Sequence, residues 1–233
     1  MTTLRSVRFA LATATMVVAG CFASPAFASV TAPVSGVEYT TMAAPQPVPA
    51  GKKVEVIEFF MYHCPHCNSL EPQLSEWVKK QGDKIILKRV HFPASGPNDP
   101  EAHLYLTLEA MGKSETYQST VLAAVADIVK RKRSETLSEQ EVLDVAYKLP
   151  GIDKTRLMET WNSFGVKTML GRLPGIVSNG YKVNSTPTVV VDGKYVTSPG
   201  QVSDTTRTRN QQQLFQETMQ VLDALVMKVQ KSK

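Results

Sequence analysis

Cys64-Pro65-His66-Cys67 is the stretch of this chain whose residue types and spacing most directly imply chemistry. A disulfide between cysteines so close in sequence closes almost no loop, so it constrains the unfolded chain little and is a poor structural staple. Its value lies in reversible thiol chemistry. Pro65 suits the first turn of a helix, where its missing N–H is no loss. Cys64 then falls at the helix N-terminus, whose unpaired N–H groups and partial positive charge stabilise an anion. The thiolate is the nucleophilic form, so Cys64 is the predicted attacking sulfur, and Cys67 closes or resolves the disulfide. His66 can donate a hydrogen bond, or add positive charge, beside the Cys64 sulfur. Lowering the thiol pKa stabilises the reduced pair and makes the disulfide a stronger oxidant. The bland alternative for C-x-x-C is half of a zinc site. Zinc needs about four ligands. The only other cysteine is Cys21, and His63 and His66 lie in the same short turn, so no metal is expected.

The elements that must position this pair can be read on either side of it. Residues 54–60 (Val-Glu-Val-Ile-Glu-Phe-Phe) read as a buried strand, and Leu70, Leu74 and Trp77 share one face of the helix that starts at Pro65. Residues 84–92 form a second strand, completing a βαβ unit. From about residue 100 to 180 the pattern turns helical. Leu104, Leu108 and Met111 share a face; Val121, Val125 and Ile128 share another; Ser138 and Glu141 make a capping-box pattern. Asp153 can cap a further helix carrying Leu157, Trp161 and Phe164, and Pro174-Gly175 predicts a kink or break. Strand character returns at residues 188–191. Asp192-Gly193 is a two-residue hairpin signal, with residues 194–197 as the return strand. Leu214, Leu222, Leu225 and Val229 then predict a C-terminal amphipathic helix. The order is that of an α/β protein with a thioredoxin fold and an inserted all-helical domain. The expected division is a thioredoxin-like domain over residues 51–98 and 182–233, with the helical domain over 99–181.

The remaining segments bear on location. Arg5 and Arg8, the apolar residues 9–19 and Ala26-Phe27-Ala28 read as a signal peptide over residues 1–28, with Ser29 the first mature residue. Val18-Ala19-Gly20-Cys21 competes as a lipobox that would anchor the chain at Cys21; soluble export is the preferred reading. Residues 29–50, with Pro45, Pro47 and Pro49, read as an extended arm in which residues 37–41 can pair as an edge strand. In 233 residues, 42% are hydrophobic and 20% charged, an ordinary globular composition. A net charge of +5 is too mild to point to nucleic acid.

Residues 56–67, Val-Ile-Glu-Phe-Phe-Met-Tyr-His-Cys-Pro-His-Cys, closely resemble the active-site strand and helix start of DsbA proteins, for which the Pro-His dipeptide is typical. The resemblance extends through residues 36–41, the helical insertion and the Asp192-Gly193 hairpin. It implies a thiol:disulfide oxidoreductase of the periplasm that passes its disulfide to folding exported proteins with free cysteines. It also implies a low pKa at Cys64 and reoxidation by a membrane quinone reductase of the DsbB type, with no cofactor beyond the disulfide and a monomeric state. Isomerase or reductase activity, and a metal- or peptide-binding protein without turnover, are the rival functions.

The same resemblance assigns four further residues. Thr186-Pro187 reads by itself as an ordinary trans pair in a loop. In the family the matching proline is cis, faces the C-x-x-C, and has a neighbour whose backbone binds substrate peptide. DsbA proteins often carry Val before this proline, so Thr186 departs from the pattern. Glu58 interrupts a buried strand, where a carboxylate is costly unless paired. The family has an acid here beneath the cysteines, with Lys88 resembling its partner and Arg89 the alternative alignment. His91 and His103 have no partner visible in the sequence and are read as satisfied or exposed histidines, residues 130–133 as the charged end of a helix, and Met61 as a border of the substrate groove.

Overall fold

The structure is a computed structural model and describes residues 30–49, 51–134 and 136–233. The expected signal peptide, its cleavage point before Ser29 and the lipidation motif at Cys21 lie outside the described residues. Among the described residues no helix is long and apolar enough to cross a membrane.

Five strands form one sheet in the order β1-β5-β4-β2-β3. They are β1 (Thr40–Thr41), β2 (Val54–Phe60), β3 (Ile85–His91), β4 (Thr188–Val191) and β5 (Tyr195–Thr197). β2 is buried along its whole length because it lies between β3 and β4 and is covered on both faces. It runs parallel to β3, with Glu58 beside Arg89, and antiparallel to β4, with Phe59 beside Thr188. That second register brings the chain just before β4 to the C-terminal end of β2, where the cysteines follow.

Alternation along the strands divides the core. Val54, Val56, Val189 and Val191 pack with Leu70, Leu74 and Trp77 of α1 (Pro65–Gln81) and with Phe215, Leu222 and Leu225 of α8 (Gln211–Gln230). Ile57, Phe59 and Val190 pack on the other side with the helical insertion. That insertion comprises α2 (Pro100–Ala110), α3 (Ser114–Lys132), α4 (Glu139–Ala146), α5 (Lys154–Trp161) and α6 (Phe164–Gly175). A short α7 (Pro199–Thr206) precedes α8.

Local chemistry accounts for most element ends. Asp99 caps α2 through the Ala102 N–H, Ser138 and Glu141 form the expected capping box on α4, and Asp153 caps α5. The basic residues 130–132 close α3, as a helix C-terminus favours. Beyond Pro174, α6 gives way to a wider turn in which the Tyr181 N–H donates to Ile176 O, an i to i+5 bond. Asp192 and Gly193 have φ of 53° and 61°, the backbone of a two-residue hairpin. Gly193 is required twice over, because a Cβ there would lie 2.3 Å from the Gln46 carbonyl oxygen.

The arm is better packed than its composition predicts. Only Thr40 and Thr41 pair with β5, since the Gly36 N–H bonds back to Tyr39 O in a turn. Tyr39 is buried and its hydroxyl accepts from Lys228 Nζ at 2.7 Å.

Candidate functional site

Strand β2 ends at Phe60, and a turn in which the Cys64 N–H donates to Met61 O leads into α1. Cys64 is the cap of that helix. Its backbone is extended (φ −72°, ψ 115°), and its sulfur accepts the Cys67 N–H at 3.4 Å. Pro65 occupies the first turn, as expected. Cys64 retains 6% exposure and Cys67 none, so attack from outside can reach only Cys64.

The two thiols are strongly unequal. A hydrogen bond from Cys67 is the largest influence on Cys64. With help from Thr186 and the N–H groups of Cys67 and His66, it outweighs burial and brings Cys64 down to about 5. Burial drives the Cys67 thiol far up, and the neighbouring Cys64 reinforces it. Of His66, it is the backbone N–H that acts on the sulfur; its exposed imidazole is turned towards the Gln211 amide, 3.4 Å from Nδ1.

Thr186–Pro187 is cis, unlike the ordinary reading of the pair and as the resemblance implies. The Cys64 thiol donates to Thr186 O at 3.6 Å. Thr186 and Pro187, with His66, Pro199, Arg209 and Phe215, line a groove of about 430 Å³ beside the cysteines. Met61 is half-buried against the insertion core and does not line it.

Beneath the pair, Glu58 is fully buried, and burial pushes its carboxyl up to about 7 although Arg89 opposes the shift. The partner of Glu58 is Arg89 and not the expected Lys88. Successive strand residues face opposite ways, and the β2–β3 register sets Arg89, not Lys88, beside Glu58. Arg89 Nε donates to Glu58 at 2.8 Å, and its other nitrogens reach Glu71 of α1, at 3.1 Å, and Glu115 of α3. Lys88, half exposed, pairs with Glu55 on the opposite face. One buried guanidinium thus serves three carboxylates, which is why Glu58 is incompletely compensated.

Three residues near the cysteines escaped the sequence reading. Glu71 lies two turns into α1 and carries no local signal of its role. Glu101, in the first turn of α2, accepts from the His63 backbone N–H at 3.0 Å and faces His63 Nδ1 at 2.8 Å. His91 is satisfied at Nε2 by partners that the sequence does not show: this nitrogen accepts the Tyr62 N–H at 3.2 Å and lies 3.5 Å from Glu101. His103 likewise stacks on Trp161 at 3.6 Å and bonds its carbonyl. Among the described residues no group of three or more His, Cys, Asp or Glu is arranged to hold a metal ion.

A family model described as thioredoxin matches residues 50–209. The thiol:disulfide interchange protein DsbA of Burkholderia cepacia is 38% identical over 216 residues, covering 92% of this chain and 94% of that protein. The DsbA of Pseudomonas aeruginosa is 32% identical over 162 residues, covering 69% and 74%. The crystal structure of oxidoreductase DsbA from Xylella fastidiosa superimposes with a TM-score of 0.69 at 25% identity, covering 84% of this chain and 97% of that one. With its C-x-x-C at the head of α1 facing a cis-proline, this chain belongs to the DsbA family of thiol:disulfide oxidoreductases.

Proposed function

We propose that the chain works as an exported oxidase, donating the Cys64–Cys67 disulfide to thiols of folding proteins in the periplasm. The observation that carries this direction is the inequality of the two sulfurs, with Cys64 brought down to about 5 and Cys67 driven up. A substrate thiolate attacks Cys64 Sγ of the oxidised protein. The Cys64–Cys67 bond breaks, and its electron pair leaves on Cys67, which takes up a proton. A second substrate thiolate then attacks the substrate sulfur of the mixed disulfide, and Cys64 departs as a stabilised thiolate. The substrate loses two electrons and gains a disulfide; the protein holds those electrons as a thiolate and a thiol. The disulfide is itself the electron acceptor, so the step requires no bound cofactor or metal.

The surrounding residues take roles that match their positions. Glu58 raises the Cys67 value by its charge and titrates near 7 itself, so it can hand a proton to the departing Cys67 sulfur and recover one from water. Arg89 keeps that carboxylate from being stranded when ionised. The Thr186 carbonyl, next to cis-Pro187, offers an acceptor to an extended substrate segment lying in the groove once Cys64 is engaged. A membrane quinone reductase of the DsbB type would reoxidise the dithiol, and the protein would act as a monomer.

The test is the equilibrium reduction potential in glutathione buffers, on protein starting at Ser29. Two pH units between a thiol titrating near 5 and neutrality stabilise the reduced form by about 2.7 kcal/mol, or about 60 mV. A potential at least about 60 mV above thioredoxin's roughly −270 mV is therefore expected. A value at or below thioredoxin's would refute the oxidase direction and favour a reductase or isomerase.

A further inference from the structure

The residue immediately before the nucleophile makes contacts that the redox chemistry does not use. Glu101 is 3% exposed, and its carboxylate accepts both the His63 backbone N–H at 3.0 Å and the proton on His63 Nδ1 at 2.8 Å. His91 Nε2, at the end of β3, lies 3.5 Å from the same carboxylate and 3.2 Å from the Tyr62 N–H. Burial alone would raise this carboxyl, but the hydrogen bonds from His63, with His91 close by, outweigh it and hold it down to about 2. It is therefore an anion whose hydrogen bonds converge on His63 from a helix of the insertion. That helix is anchored in turn, since Asp99 accepts the Ala102 and Ser95 N–H groups at 2.8 Å. A buried carboxylate satisfied in this way is rigid, because every donor it loses exposes an unpaired charge.

Cys64 needs such rigidity. Its sulfur receives the Cys67 N–H only while its backbone stays extended at the cap, and that backbone begins at His63. We propose that Glu101 is a positioning residue for the nucleophile: by gripping His63 through backbone and side chain, it holds Cys64 in the cap geometry that stabilises the thiolate. The inference rests on Cys64 being the reactive thiolate. Through-space charge predicts the opposite effect, since a nearby anion disfavours a thiolate and its removal would ease ionisation.

The experiment titrates the Cys64 thiolate by its ultraviolet absorbance in the reduced protein and in H63A, H63N, E101Q and the H63A/E101Q double variant. Each is first checked for cooperative unfolding. Asparagine carries an N–H donor at the place of histidine Nδ1 but no titratable ring, so H63N keeps the grip and discards any imidazolium charge. H63A is expected to weaken Cys64 ionisation by about threefold or more, an upward shift of about half a pH unit. H63N should stay within about twofold of the parent, since its donor is retained. E101Q should shift in the same direction as H63A, and the double variant no further than the larger single, as for residues acting as one unit. A folded H63A that titrates like the parent, an H63N that moves as far as H63A, or an E101Q with easier ionisation would overturn the inference. If E101Q fails to fold, the H63A and H63N pair decides alone. A parent whose Cys64 titrates as an ordinary thiol would instead refute the reactive-thiolate reading, a result distinct from a low parent value that H63A leaves unmoved.

Discussion

Raising the pH from about 5 to about 7 should separate the stabilities of the reduced and oxidised proteins. In the reduced protein Cys64 titrates at about 5 against an ordinary 9.0, so the folded state holds fewer protons than the unfolded one between those values. Its contribution is fully present above the unfolded value and is lost as the pH falls through about 5. Across the window it adds about 2.3 kcal/mol to the reduced protein. Glu58 acts with the opposite sign. Its folded value of about 7 lies above an ordinary 4.5, so its contribution is fully present below the unfolded value and fades as the pH rises through about 7. The loss over the same window is about 2.2 kcal/mol. The reduced protein should therefore be nearly flat in this range, while the oxidised protein, which has no Cys64 thiol to titrate, should weaken. Glu101, held down to about 2, titrates below the window. Cys67 also titrates only in the reduced form, but burial drives it far above the window; the remaining groups are common to both redox forms and cancel in the difference between them. Solvent screening at a sulfur near the groove lowers the expected divergence to about 1–2 kcal/mol. Urea unfolding of both forms at the two pH values, followed by tryptophan fluorescence, measures it. A reduced-minus-oxidised difference that stays constant with pH would refute the stabilised thiolate.

Three further outcomes are expected. R89M should lose about 3–5 kcal/mol in urea unfolding at mildly alkaline pH, because Glu58 and Glu71 are left as uncompensated buried charges. The R89M/E58Q double variant should recover part of that loss; a deficit under about 1 kcal/mol in R89M would show that the carboxylates find other partners. G193A should lower thermal stability by about 1–3 kcal/mol, since it forces a left-handed alanine against the Gln46 carbonyl, and an unchanged melting temperature would contradict that packing. C67A treated with oxidised glutathione should accumulate the Cys64–glutathione mixed disulfide on intact mass analysis. The thiolate of Cys64 displaces one glutathione thiolate and no resolving sulfur follows; absence of the adduct would remove Cys64 as the attacking group.

What was legible in the sequence was the chemistry written in short range. The C-x-x-C announced a redox pair, Pro65 and the strand before it placed Cys64 at a helix start, and Asp192-Gly193 marked the hairpin whose positive φ values were observed. Caps at Ser138 and Asp153 were equally readable, because a cap is a contact between residues two or three apart. Each of these rests on backbone geometry that neighbouring residues settle among themselves.

The tertiary structure decided what depends on distant parts of the chain meeting. Whether Lys88 or Arg89 serves Glu58 is a question of strand register, and a shift of one residue turns each side chain to the opposite face. Proline chemistry permits the cis bond at Thr186–Pro187, but nothing within that dipeptide selects it. Glu71 and Glu101 look like ordinary helix-surface acids in sequence. They become buried charges only because α1 and α2 deliver them to Arg89 and to His63. Burial and pairing are properties of the assembled fold, so the sequence by itself could determine which atoms react but not how their environment is tuned.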